Sequence, residues 1–231
     1  MKVALFNEKM KLADLLLANP NLILLLSRFN IPFGFGDHKV ADVCNRHGVS
    51  TSFFLMICNI YSSKNYMPTK DEILAADIDS LSKYLKASHQ YYLDKRLPHI
   101  GCHIKKIADS MDKKIASVLT HFFNEYFEEV TAHFSYEEKV VFPYIMNLKT
   151  KGKSDDYHIE SFTKAHTNIE DKLDDLTQIV FKYLPESIIP DEAVGVVFDI
   201  LRLSEDIKKH SLIEEKILVP YVEHLEHKRS K

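Results

Sequence analysis

Tryptophan is absent from this chain of 231 residues, and glycine is scarce, with only 6. Tight hairpins draw on glycine and other turn formers, so the composition excludes an architecture of many short strands. The three cysteines, Cys44, Cys58 and Cys102, are widely spaced and form no CxxC. That excludes a disulfide framework or a cysteine-rich metal knot, and it fits reduced thiols in the cytosol. Charge of one sign is lacking too: 30 Lys and Arg face 33 Asp and Glu, for a net charge of −3. A general nucleic-acid binder needs clustered cations to displace counterions, so no nucleic-acid partner is expected. Long apolar runs are missing as well. The stretch from Leu15 to Leu26 is split by Asn19-Pro20 and is too short to span a bilayer. Glu8, Lys9, Lys11 and Asp14 interrupt the N-terminal apolar residues, so no signal peptide is read and no membrane association is expected. The expectation is a soluble cytoplasmic protein.

What remains is 45% hydrophobic and 27% charged, an ordinary globular balance, with 12 histidines standing out. The length suits one sizeable core plus a small extra domain. Over residues 1–65, Leu12, Leu15 and Leu16, then Leu22 to Leu26, recur at helical spacing on either side of the Asn19-Pro20 break. A tight loop follows at Asn30-Ile-Pro-Phe-Gly-Phe-Gly-Asp37, and Ser50 or Thr51 can cap a helix ending near Tyr61. Residues 66–76 read as a linker. From about residue 78 the pattern changes to four long helical segments, at 78–110, 113–148, 157–184 and 191–226, with Pro98 expected to kink the first. The fold class is therefore all-α: an antiparallel up-down four-helix bundle over residues 77–231, preceded by a small helical domain.

Two segments of this region repeat one another. His133-Phe-Ser-Tyr-Glu-Glu-Lys-Val-Val-Phe-Pro-Tyr144 matches His210-Ser-Leu-Ile-Glu-Glu-Lys-Ile-Leu-Val-Pro-Tyr221 at an offset of 77 residues. His89 and His166, in the other two helices, share that offset. One helical hairpin thus occurs twice, and what it retains is histidine and carboxylate. Residues equally far from a hairpin turn lie at one height. With a turn near Met111, His89 lies 22 residues before it and His133 lies 22 after. The same count about Gly152 and Ser187 brings His166 and His210 into that layer. Glu137 and Glu214 follow His133 and His210 at i+4, on the same helix faces. His99, His103 and His121 miss the layer by roughly 15, 21 and 18 Å and read as surface or structural residues. So do Glu138 and Glu215, which i+5 spacing turns off the ligand face. A lone His-x-x-x-Glu is usually a solvated surface pair; two copies at one period, with two more histidines at their height, point to metal.

These residues resemble the hemerythrin-like (HHE cation-binding) domain over roughly residues 77–227. The resemblance implies two non-haem iron ions, oxo- or hydroxo-bridged, with His89, His133, His166 and His210 as terminal ligands and Glu137 and Glu214 as bridges. Imidazole with carboxylate suits first-row metals on its own account. A ferritin-like oxidase would instead need Glu-x-x-His pairs, which are missing. The N-terminal stretch Ala13 to Val43, with Leu26-Ser-Arg-Phe-Asn-Ile31, is similar to the small domain preceding the bundle in the repair-of-iron-centres family. Members of that family carry vicinal cysteines where this chain has Gly34 and Phe35.

The resemblance implies a protein that handles iron, O₂, NO or peroxide under oxidative or nitrosative stress, by binding rather than turnover. A homodimer contact or an acceptor protein would engage the N-terminal domain. Two alternatives use the same site: an O₂ or NO sensor with an N-terminal interaction or DNA-binding module, and a small di-iron oxidase or peroxidase. The DNA-binding version rests on Ala41-Asp-Val-Cys-Asn-Arg-His-Gly-Val-Ser50 followed by a helix, a helix-turn-helix spacing. The helix itself, Thr51-Ser-Phe-Phe-Leu-Met-Ile-Cys-Asn-Ile60, offers no Arg, Lys or Gln to read bases.

Overall fold

The computed structural model of the chain describes residues 6–150, 157–165, 169–184 and 190–229. Among them the secondary structure is helical, and the single β-bridge, Lys11 to Lys39, belongs to no strand. The protein is an all-α helical bundle, as the scarcity of turn formers indicated. Two compact units emerge, Met1–Ala87 with Lys209–Lys231, and Ser88–Lys208.

In the first unit, helices α1 (Leu12–Ala18), α2 (Ile23–Arg28), α3 (Val40–Arg46) and α4 (Thr51–Ser62) follow the expected breaks. Asn19 caps the single turn Pro20–Leu22, its side chain accepting from Asn21 N at 3.1 Å. Ser50 caps α4 by accepting from Phe53 N. Helix α5 (Lys70–Ala75) falls within the stretch expected as a linker. Its origin is a capping box: Thr69 and Glu72 each bond the other's backbone N–H, a local device worth about 0.5–2 kcal/mol. Helix α6 (Ile78–Tyr91) begins here. Phe29 packs edge-on against Phe53 and Phe54 and tilts over Tyr84 at 5.1 Å, so the N-terminal helices share a core with the start of α6. Beneath them the buried Arg28 guanidinium donates to the Tyr61 and Tyr84 hydroxyls.

After α6 come α7 (Leu97–Ala108), α8 (Lys113–Tyr136), α9 (Phe142–Thr150), α10 (Ile159–Ala165), α11 (Ile169–Tyr183), α12 (Pro190–Ile213) and α13 (Val219–Arg229). The helical chain runs on through Pro98, because a π-turn, Tyr92–Arg96, absorbs the proline. Leu97 N bonds back to Tyr92 O, five residues earlier, in place of the bond that Pro98 cannot make. In the second unit, α7, α8, α11 and α12 pool one apolar core that includes Leu97, Ile100, Phe123, Tyr126, Leu176 and Ile200. Gly101 lets α7 and α8 come close: a Cβ there would stand 2.9 Å from the Phe123 ring.

Candidate metal centre

The two halves of the duplicated motif fold alike. π-Turns occupy Glu137–Val141 and Glu214–Leu218, at the same 77-residue offset as the sequence repeat. In each, the glutamate opens the turn and its carbonyl accepts from the residue five on, Phe142 or Val219, immediately before a proline. Pro143 and Pro220 therefore do in these helices what Pro98 does in the first turn of α7. π-Turns of this kind concentrate at functional sites.

In the Ser88–Lys208 unit, Glu137 is fully buried, with one carboxylate oxygen 3.0 Å from His89 Nε2 and the other 2.7 Å from His133 Nε2. His89 is itself buried, its ring stacked on Phe134 at 4.1 Å and on Phe142 at 5.9 Å. Its Nδ1 faces Glu138 Oε1 at 2.8 Å. A carboxylate only accepts, so Nδ1 carries a ring proton and donates it to Glu138. In the neutral ring Nε2 is an acceptor that faces the Glu137 oxygen at 3.0 Å, the arrangement that a shared cation suits. Glu138 is a correction to the sequence reading, which placed it in solvent. It is 38% exposed yet orients a buried histidine. That contact crosses between helices, and an i+5 argument along one helix cannot see it.

In the other unit, His210 Nε2 lies 3.2 Å from Glu214 Oε1, and both residues are buried. His166 lies outside the described residues. Two donors each about 2.0–2.1 Å from one ion and at right angles stand about 2.9 Å apart, so both motif pairs have the spacing of donors to a shared cation. Buried residues of the kind that could hold a metal ion stand in each unit: His89 and Glu137 in one, His210 and Glu214 in the other. Burial separates them from the bland case. His121 and Glu125 have the same spacing along α8 at 3.5 Å, but their side chains are 74% and 56% exposed.

Of the other histidines, His38, His47, His158 and His227 are exposed and His224 is half-buried. Cys44 and Cys58 are buried and Cys102 is exposed. Burial pushes the Cys44 thiol up to about 11, and Cys58 well above its ordinary value. Gly34 sits at φ 90°, where a cysteine would be strained.

An all-helical chain with repeated buried His–Glu pairs on π-turns defines a class of metal-binding helical bundles. The hemerythrin HHE cation-binding domain matches residues 80–222, and the chain belongs to that family. No curated protein matches the chain. Membership implies a cation-binding function, for which iron is the typical metal. Among the described residues no helix is long and apolar enough to cross a membrane.

Proposed function

We propose that this chain is a non-haem di-iron protein that binds O₂, NO or peroxide, or passes iron on, in oxidative or nitrosative stress. The ligands in this reading are His89, His133, His166 and His210, with Glu137 and Glu214 as bridging carboxylates. The observation that carries it is the way Glu137 divides its two oxygens between two histidine nitrogens in a buried setting. A carboxylate held by one ion needs no such symmetry; one that bridges two does. The 77-residue repeat supports a matching role for Glu214. Two irons so held supply redox chemistry and open positions for a diatomic ligand.

The protein's own groups set the terms of that chemistry. Glu138 fixes the tautomer of His89 through Nδ1, and Phe134 and Phe142 hold the plane of its ring. Binding rather than turnover remains the reading, with the N-terminal helices serving for packing and partner docking through the 72% exposed Phe33. Elemental analysis of iron-replete protein is expected to find two irons per chain. The ultraviolet–visible spectrum of an anaerobic sample is expected to change on adding O₂ or NO. One tightly bound metal, or zinc alone, sinks the di-iron reading; an unchanged spectrum sinks the small-ligand role.

A further inference from the structure

Away from the motif pairs, α7 and α12 bring three more donors to one patch of the Ser88–Lys208 unit. His99 and His103 stand four residues apart on α7, so their side chains leave the same helix face. Their rings are 4.6 Å apart at 69°. Asp199 on α12 meets them, with Oδ2 3.2 Å from His99 Nε2. One donor atom from each of the three lies within 4.8 Å of the others. Arg96 Nη2 donates to the second oxygen, Oδ1, at 2.8 Å, which holds the carboxylate plane and leaves Oδ2 turned toward the imidazoles. His99 is 52% exposed and Asp199 21%, so the patch is open to solvent.

We propose that His99, His103 and Asp199 form a second, surface site for a late first-row divalent cation such as Zn²⁺. The donor set selects the class: two imidazoles and one carboxylate suit zinc, nickel or copper, whereas calcium and magnesium want oxygen throughout. The i,i+4 histidines need only rotate their rings to close on one ion, because their helix already sets their separation. Three protein donors leave a fourth position to water, as in open zinc sites. A surface His–Asp pair is too weak to hold this arrangement against a cation. The ion would tether α7 to α12, so its binding reads out as stability as well as uptake.

The full chain, with its resident metal measured beforehand, is dialysed against Zn²⁺. The expected result is one zinc beyond the resident content, no loss of resident metal, and a zinc-dependent rise in Tm. His103→Ala and Asp199→Asn are each expected to weaken uptake by about tenfold or more and to abolish the Tm rise, with resident metal unchanged. His99→Ala, at the most exposed of the three positions, is expected to behave alike. Zinc held equally by the wild type and the variants overturns the site. So does the absence of an additional equivalent, or zinc that enters only by displacing resident metal.

Discussion

Glu137 and Glu125 show how little spacing decides by itself at the scale of the residue. Both follow a histidine of α8 by four positions, yet one pair is shielded and the other open to solvent. A buried carboxylate that loses its partners is costly, whereas an exposed pair contributes little. His133→Ala and Glu137→Gln are therefore expected to lose most of the bound metal, and His121→Ala to keep it, by metal content after gel filtration. Glu138→Ala falls between them, because it disorients His89 without removing a ligand. Its expected cost is about 10–100-fold in metal affinity, with full loading at saturating metal. The thiols make a separate prediction. Burial favours protonated Cys44 and Cys58, so the native chain is expected to react with a thiol reagent at Cys102 alone, and at all three cysteines once unfolded. For Cys44 the folded value, about 11, lies above the ordinary 9.0. The stability it contributes is thus full below pH 9 and lost as pH rises through about 11, which a urea midpoint measured across that window reads directly.

The prolines govern the next scale, that of the element. Pro98, Pro143 and Pro220 each stand two residues past a π-turn, which supplies the i to i−5 bond that carries the helix up to a residue lacking N–H. Each such turn takes in an extra residue and so offsets the downstream helix face by about 100°. Pro143→Ala restores the donor and lets the turn relax toward regular α-helix, turning Glu137 relative to α9. Metal affinity is expected to fall while helical circular dichroism and metal-free stability hold or rise, the usual exchange of function for stability. The sequence showed the prolines, the repeat and the long helical segments within 78–150 and 190–229, because apolar spacing and punctuation are local signals. It also showed that His133 and Glu137 share a face, since i+4 is a property of one helix. The π-turns were not legible, because a proline inside a helical pattern reads equally as a kink. Glu138 reaching His89 was not legible either, since it depends on how one helix sets against another. The α5 helix was missed although its capping residues, Thr69 and Glu72, were in plain view; six residues are too few for a period to show.

Lys216 raises the question of how much of the chain the whole molecule needs. It is the lysine of the second Glu-Glu-Lys, and it is buried, whereas Lys139 of the first copy is exposed. Its Nζ donates to the carbonyls of Lys64 at 2.9 Å and Tyr66 at 2.7 Å. Burial lowers its pKa, with Glu215 opposing the shift. Residues 1–76 thus supply the acceptors for a buried ammonium near the end of the last helical segment. A fragment beginning at residue 77 would strip them away, together with the aromatic partners of Tyr84. That fragment is expected to unfold at a lower temperature than the full chain, and Lys216→Met to recover part of the loss in the fragment while costing stability in the full chain. Equal melting of fragment and full chain would refute this.

The His89 ring stacks on Phe134, three residues before a π-turn, and on Phe142, just after it. Ring currents from two stacked phenyl groups displace the imidazole proton resonances upfield, and the displacement falls away steeply with ring separation. His89 therefore carries its own gauge in a proton spectrum of the zinc-loaded, diamagnetic chain. Because the two rings belong to opposite ends of the turn, straightening it slides one plate away from the other and returns the signal toward its free position. Pro143→Ala is where that return should first be seen.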